Sequence, residues 1–414
     1  MKRLSKERVE LLAPAGNYEK LEIAIHYGAD AVYLGDPRFS LRHFADNFNP
    51  DQMRRAAALT REKGVKMYVA CNIYPRNREA AAIKDYFREL AAIQPDAVII
   101  ADPGVFLTAR QVIPHIPVHL STQANTTNLQ AVRFWEELGV RRVNLARELS
   151  LDEIQEITGH CRLEVEAFVH GAVCISYSGR CLLSSFLANR DSNRGQCSHP
   201  CRWQYHVMEN ERPGQYLPLA EDDRGTYIFN ARDLCMIEHL DKMIAAGITS
   251  LKIEGRMKSI HYLAATVKTY REAIDACYRD PEGYRPAPEW LETLNAVNTR
   301  GYGTNFYLGR PGSADLNYAN RKPARGRTFI AKVISQDRQG GTLVQVRNKL
   351  FRHESVRIMK PGSPDSPDTI AGIIDESGQS VDYAQPNSLV TLQLNASCRT
   401  NDLIQRLEPT EATS

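Results

Sequence analysis

Four cysteines, Cys174, Cys181, Cys197 and Cys201, fall within 28 residues of a 414-residue chain that carries nine cysteines in all. An even spread would place fewer than one in such a window, so the clustering asks for a chemical reason. A fifth, Cys235, follows in the same stretch. Deprotonated sulfur is a soft donor, and four such donors suit either tetrahedral zinc or an iron-sulfur cluster. Structural zinc sites are usually built from paired tight knuckles, and only Cys197 and Cys201 are spaced as one; the wider spacing elsewhere suits a bulkier cluster reached from separate loops. Unligated burial is the plain alternative, and it is the better reading for the isolated Cys71, Cys161, Cys277 and Cys398.

The cysteines are set among Arg180, Arg190, Arg194 and Arg202, opposed only by Asp191, and among Tyr177, Phe186, Trp203 and Tyr205. Guanidinium groups neutralise phosphates and aromatic rings stack on unpaired bases, a combination suited to a single-stranded RNA loop. The same arginines can hold a dicarboxylate through bidentate pairs, and a solvated charged surface is the bland alternative. Arg321, Lys322, Arg325 and Arg327 form a second basic group further on.

Short apolar runs that would position these groups recur at Val9 to Ala13, Ala31 to Leu34, Lys66 to Cys71, Ala97 to Ala101, Val118 to Ser121, Arg142 to Ala146, Leu163 to Val169 and Ser250 to Ile253. Helix-like segments separate most of them, including Tyr18 to Tyr27, Pro50 to Lys63, Glu79 to Ile93, Leu129 to Leu138 and Leu151 to Thr158. Eight such units predict an α/β fold, a TIM-like (β/α)8 barrel. A doubly wound open sheet is disfavoured, since Ala13-Pro14-Ala15-Gly16-Asn17 after the first strand is no GxGxxG loop.

About 80 residues separate the seventh strand from the eighth, which marks a long insertion carrying the cysteines at the barrel face where catalytic groups collect. The predicted organisation is a barrel over 1–280 with the insertion at 172–248, a Pro-rich connecting segment over 281–325, and a small all-β, barrel-like domain over 326–408. Polar residues just past strand ends then line one mouth: Asn72, Asp102, Gln123, Asn125, Arg147, Glu148, His170, Glu254 and Arg256. Asp102, His170, Glu254 and Arg256 are the catalytic candidates; His170 can transfer protons near neutral pH or serve only as a hydrogen-bond donor, and Glu254 with Arg256 can instead form a structural ion pair.

Composition narrows the class. The balance of 52 Lys+Arg against 49 Asp+Glu, a net +3, makes no case for nucleic acid by total charge, so any such case must be local. Hydrophobic residues at 43% and charged residues at 24% exclude collagen-like and disordered chains. The N-terminus has no signal-peptide core and no segment approaches a membrane span, so a cytoplasmic protein is expected. In that reducing setting clustered thiols are ligands more often than crosslinks.

The stretch from Glu166 through His170-Gly171 and Cys174 to Gly179-Arg180-Cys181 resembles the signature of the peptidase U32 family. The resemblance extends to Leu11-Leu-Ala-Pro14-Ala-Gly16-Asn17, Ala29-Asp-Ala-Val-Tyr33-Leu-Gly35, Asp102-Pro-Gly104, Arg190-Asp-Ser-Asn193-Arg-Gly195 and Leu251-Lys-Ile-Glu254-Gly255-Arg256-Met-Lys258-Ser259, so it covers nearly the whole barrel. Length, the single barrel, the Cys197 and Cys201 pair and the C-terminal β domain are most similar to the bacterial members that hydroxylate tRNA.

That resemblance implies oxygen-independent formation of 5-hydroxyuridine at the wobble uridine of a tRNA anticodon loop, with a 4Fe-4S cluster and prephenate as co-substrate. Zinc is the alternative metal. Cys174, Cys181 and Cys197 match the family's first three ligands; for the fourth, proximity favours Cys201, whereas similarity to the family's quinone-ring hydroxylases favours Cys235, the preferred assignment. Some members work in pairs, which implies a possible protein partner of the same family. Quinone-ring hydroxylation is one alternative activity, and a metal-dependent, collagenase-like peptidase is the other, although no HExxH or GxSxG motif accompanies the family name. A structural staple in a noncatalytic RNA-binding protein is a third reading.

Overall fold

The computed structural model describes residues 8–41, 46–203, 220–222, 225–227, 231–297, 300–311, 327–337 and 340–407. Seven strands come first: β1 Glu10–Pro14, β2 Ala31–Gly35, β3 Lys66–Cys71, β4 Ala97–Ile100, β5 Val118–Leu120, β6 Arg142–Asn144 and β7 Glu164–Gly171. Each pairs in parallel with the next. Two short strands, β8 Ala220–Asp222 and β9 Gly225–Tyr227, and β10 Asp233–Cys235 precede β11 Ser250–Ile253, which pairs with both β7 and β1 and closes an eight-stranded parallel barrel. All eight strands coincide with the apolar runs of the sequence, and the predicted barrel is the observed one.

The outer helices are α1 Tyr18–His26, α2 Pro50–Lys63, α3 Ala80–Ile93, α4 Pro103–Val112, α5 Leu129–Glu137 and α6 Leu151–His160, and all but α3 begin where a polar side chain satisfies a free N–H group of the first turn. Asn17, Asn49, Asp102, Asn128 and Ser150 accept from backbone N–H groups two or three residues on, and Asn49 and Ser150 complete capping boxes with Gln52 and Glu153. Beyond the short α7 Leu183–Ala188 and α8 Leu240–Ala245 of the insertion, α9 Ile260–Arg279 buries its apolar stripe against α1 and β1, and α10 Pro288–Ala296 packs on it.

Inside the barrel the strands' alternation sorts residues into two unlike halves. One half is apolar, formed by Leu12, Ala31, Tyr33, Tyr68, Ala70, Ala97 and Ile99. The other half carries charge: Arg142, 3% exposed, contacts Glu10 (2.5 Å), Glu164 (2.7 Å) and Glu166 (3.5 Å), and Lys252 holds Glu166 at 2.7 Å. Ser250 and Tyr68 donate to Glu10 as well. Burial alone would raise the Glu10 carboxyl, but Arg142 and these donors outweigh it and hold the group below its usual value.

The second domain is antiparallel and all-β. Its larger sheet has eight strands, from Arg327–Gln336 through Gly341–Val346, Ser355–Met359 and Leu389–Gln393 to Leu403–Leu407, over a core that includes Ile330, Val344, Ile358, Ile373, Leu392 and Ile404. It joins the barrel on the outer helices: Glu19 of α1 pairs with Lys332 (2.6 Å) and Arg347, Tyr27 donates to the Met359 carbonyl (2.9 Å), and His26 meets the buried Asp402 (2.9 Å). Arg327 is therefore structural, bound to Asp365 (2.8 Å), while Arg321, Lys322 and Arg325 lie outside the described residues. Among the described residues no helix is long and apolar enough to cross a membrane.

Removing Arg142 would leave Glu10, Glu164 and Glu166 short of a cation inside the barrel. Arg142→Ala is expected to cost about 3–5 kcal/mol of stability, read as a lowered midpoint in urea unfolding; a change below about 1 kcal/mol would refute the network's role.

Candidate functional site

A cavity of about 260 Å³ opens at the C-terminal ends of the barrel strands. Its floor is made by inward-facing strand residues, Tyr33, Ala70, Ile99, Asn144, Phe168 and Lys252. Residues just past the strands form the wall, among them Asn72, Gln123, Arg147, Glu148, Glu254 and Arg256. The insertion supplies the roof, including Cys174, Tyr177, Cys181, Cys197 and Cys201.

The roof is tied down by groups that leave it little choice of path. Gly171 ends β7 at φ 109°, and a Cβ there would lie 2.5 Å from the Glu254 carbonyl oxygen. Gly179, at φ 73°, passes so close to the Gln123 carbonyl that a Cβ would lie 2.3 Å from it. Between them Glu148 accepts from the Ser178 backbone N–H at 2.6 Å. Further on, Ser192 and Asn193 both donate to the Cys181 carbonyl (2.7 and 3.0 Å). Arg194 forks onto Glu79 (2.8 and 2.6 Å) and donates to the Tyr74 carbonyl (2.8 Å), which pins this loop to the barrel. Ser184 lies 3.7 Å from the Cys197 sulfur.

These contacts bring Cys174, Cys181, Cys197 and Cys201 around one cavity. Burial pushes the Cys201 thiol up, Arg202 opposes the rise, and the negative charge of Cys174, Cys197 and Cys181 adds to it, so the four sulfurs feel one another. They are spread around the wall: among the described residues no three His, Cys, Asp or Glu side chains form a group that could hold a single metal ion. Cys235 is not among them. It sits on β10, 8% exposed, paired across the ladder with His170 and with its sulfur 3.6 Å from the Tyr270 hydroxyl, and burial pushes its thiol up to about 11. Of the two candidates for a fourth ligand, Cys201 lines the cavity and Cys235, the preferred one, does not.

Of the polar residues expected at the mouth, Asn72, Gln123, Arg147, Glu148, Glu254 and Arg256 line the cavity. Tyr33 donates to Glu254 (3.3 Å), Arg256 donates to Ser40 and Asn47, and Asn72 donates to Gln123 (2.8 Å). Three others do not line it. Asp102 is the N-cap of α4, accepting from Val105 at 2.9 Å. Asn125 caps a short 3-10 turn at φ 53°. His170 is 1% exposed, enclosed by the rings of Tyr262, Tyr270 and Tyr302, and burial drives its pKa down to about 3, which keeps it neutral. Asp102 and His170 thus make capping and packing contacts and do not line the cavity.

The arginines divide in the same way. Arg194 is spent on Glu79, and Arg202 is half-buried beside Cys201 and Cys174. Arg180 and Arg190 are exposed at the rim, but none of the four lines the cavity. Phe186 (84% exposed), Tyr177 (65%) and Trp203 (41%) stand out on the same roof, whereas Tyr205 lies outside the described residues. Sequence reasoning missed Lys252 and Asn144. The signal was present: a lysine and an asparagine within barrel strands, at the inward parity that Glu166 and Phe168 share.

Comparison with known proteins follows the whole architecture. The sequence profile described as Peptidase family U32 matches residues 16–317, and that described as its C-terminal domain matches residues 325–405. The chain is 40% identical over 408 residues to "tRNA hydroxylation protein P1" of Bacillus subtilis, an alignment covering 98% of this chain and 96% of that one. It is 38% identical over 397 residues to "tRNA hydroxylation protein P" of Escherichia coli, covering 85% and 86%. A more distant relative, "Collagenase" of Porphyromonas gingivalis, is 33% identical over 314 residues, covering 73% and 74%.

The buried imidazole gives a pH test. A histidine that is neutral when folded and protonatable when unfolded makes the unfolded state bind more protons in acid, so stability falls as pH drops from about 6.5 towards 3, by about 1.4 kcal/mol per unit. His170→Gln is expected to flatten this dependence relative to the unsubstituted protein in urea titrations across that window; equal slopes would show that His170 is charged in the fold.

Proposed function

The chain belongs to peptidase family U32, and from that premise we propose that it hydroxylates tRNA, forming 5-hydroxyuridine at the wobble position with a 4Fe-4S cluster and prephenate as co-substrate. One observation carries this reading: four cysteines surround a single ring-sized cavity at the barrel mouth, in a chain similar along its length to proteins named for tRNA hydroxylation.

The donor set fits the cluster better than zinc. A cubane offers an iron at each of four corners, so it takes thiolates spread around its body, whereas zinc draws its ligands to one point. Cys174, Cys181, Cys197 and Cys201 are the four that would hold it, with Arg202 balancing their charge. When bound, such a cluster supplies electron transfer or an iron site that polarises an oxygen-bearing co-reactant.

The surroundings suit a nucleotide taken out of its stack. C5 of a stacked base is hidden, so the target must be extruded into a pocket. The exposed Phe186, Tyr177 and Trp203 offer faces for the neighbouring bases, and Arg180 and Arg190 offer charge for the backbone. Tyr33, Ile99 and Phe168 keep water from the floor. Replacing C5–H by C5–OH is a two-electron oxidation: the oxygen atom would come from the oxygen-bearing co-substrate, which takes up the two electrons, and the proton leaving C5 would pass by way of a cavity carboxylate to the new oxygen. Glu254, which accepts from Tyr33 at 3.3 Å, is the carboxylate assigned to carry that proton.

Peptide cleavage has less support. Among the described residues no histidine lines the cavity, so a serine or cysteine nucleophile there would lack an imidazole base.

Anaerobically purified protein should show iron-sulfur absorption and an EPR signal on reduction. Cys201→Ala is expected to lose most of its iron and sulfide and to abolish 5-hydroxyuridine in tRNA digests of cells relying on it, while Cys235→Ala keeps both. A Cys201→Ala protein with full cluster and normal modification would sink the reading.

A further inference from the structure

Away from the cavity, the C-terminal domain turns two large rings into water. Leu350–Phe351 and Tyr383–Ala384 form a separate two-stranded ribbon, in register Leu350 with Ala384 and Phe351 with Tyr383. Alternation sends the first pair inward, 0% and 5% exposed, and the second outward, 43% and 49% exposed. The outward rings stand 6.5 Å apart between centroids at 49° to one another. The Lys349 ammonium lies 5.0 Å from the Phe351 centroid and 4.3 Å from that of Tyr383. Cross-strand contact steadies such a ribbon, yet it leaves nearly half of each ring open to a ligand.

The ribbon stands near the cavity end of the barrel. Lys20, in the first turn of α1, donates to the main-chain carbonyl of the cavity-lining Arg256 at 3.1 Å. Its neighbour Glu19 holds Arg347, and Phe351 follows four residues on, within about 14 Å of extended chain. The local charge suits a polyanion. Lys349 and Arg352 are exposed beside the rings, with Asp382 the exposed acid of the ribbon, while the Glu354 carboxylate is taken up by Arg406 (2.9 Å) and the Phe351 N–H (3.0 Å). An apolar protein patch would cover the rings and leave the Lys349 ammonium unmatched; a nucleotide supplies both a flat base for a ring face and a phosphate for the cation. The tilt between the rings leaves no parallel slot, so a base stacks on an outer face and is not clamped between them.

We propose that Lys349, Phe351 and Tyr383 form a stacking platform for an unpaired nucleotide of the tRNA, a second contact apart from the cavity that takes the target base. The assignment rests on the tRNA-hydroxylating reading above and adds to it a role for the C-terminal domain, which holds the RNA while the barrel carries the chemistry. Two contacts on one RNA bind more tightly than either alone, because the second forms at a high effective concentration.

The test uses full-length, anaerobically purified protein and an end-labelled, unmodified tRNA transcript bearing a wobble uridine, read by fluorescence anisotropy. The double variant Phe351→Ala with Tyr383→Ala is expected to raise Kd about 5-fold or more. Phe351→Leu with Tyr383→Leu keeps apolar bulk without ring faces and should lose as much, whereas Tyr383→Phe should bind normally. Lys349→Gln is expected to flatten the slope of log Kd against log salt by about 0.7, the share of one phosphate contact. Phe134→Leu removes a ring of α5 that is 56% exposed and should change neither readout. Thermal midpoints check that each variant is folded. If the unsubstituted protein binds tRNA and the ring variants bind it as tightly, the platform is wrong and the hydroxylase reading stands. Ring variants that keep tRNA affinity but shift the sedimentation profile would also overturn it, in favour of a protein interface. An unsubstituted protein that does not bind tRNA defeats the underlying reading, and the platform falls with it.

Discussion

Arg142 is the cation around which the lower barrel is organised. Three carboxylates, Glu10 of β1 and Glu164 and Glu166 of β7, converge on it from two strands, and Lys252 takes the far side of Glu166. Charges this deep are tolerable only when mutually paired, because an isolated ion away from water is far more costly than a matched set. The arrangement has a geometric result. It fills one half of the barrel with polar side chains, sets Lys252 at the base of the cavity, and keeps the adjacent His119 neutral through burial and the repulsion of Arg142 and Lys252. The opposite half, Leu12, Tyr33, Ala70 and Ile99 among others, stays apolar. The resulting cavity has one polar side and one apolar side.

Above this floor the roof is held by polar contacts more than by apolar packing. The insertion exposes Phe186, Leu182, Leu187 and Tyr177, so it buries little apolar surface of its own. Its position is set by Glu148 on Ser178, by Ser192 and Asn193 on the Cys181 carbonyl, and by the Arg194 fork onto Glu79. Glu148 and Glu79 reach from the barrel loops after β6 and β3, while the Ser192 and Asn193 bonds tie the insertion to itself, so the barrel and the insertion together fix where the cysteines lie. A layer anchored in this way leaves its outer face open to a large partner while its inner face addresses the cavity.

The division between chemistry and packing runs through residues of the same type. Four cysteines face the cavity, while Cys235 and Cys71 are enclosed, with thiols pushed up by burial. His170 lies at the end of a barrel strand, where an active-site base would be sought, yet Tyr262, Tyr270 and Tyr302 wall it off and hold it neutral. Tyr270 bonds the Val169 carbonyl, the Met236 N–H and the Cys235 sulfur, making this knot the seam between β7 and β10. Residue type and position suggested chemistry at Cys235 and His170; the structure encloses both side chains.

The barrel itself was legible from the sequence, because inward and outward alternation and the recurrence of capping residues are properties of neighbouring positions. The same is true of the density of cysteines within the insertion, four of which the structure brings to one cavity. That Cys201 reaches the cavity and Cys235 does not, that His170 is enclosed and Asp102 caps a helix, and that Lys252 and Asn144 border the cavity were decided only by the tertiary structure. Each depends on which strands become neighbours when the sheet closes, so that Asn144 faces Glu166 and Glu166 reaches Lys252. Sequence distance carries no record of that closure, since burial and pairing are set by chain segments tens of residues away in the other strands.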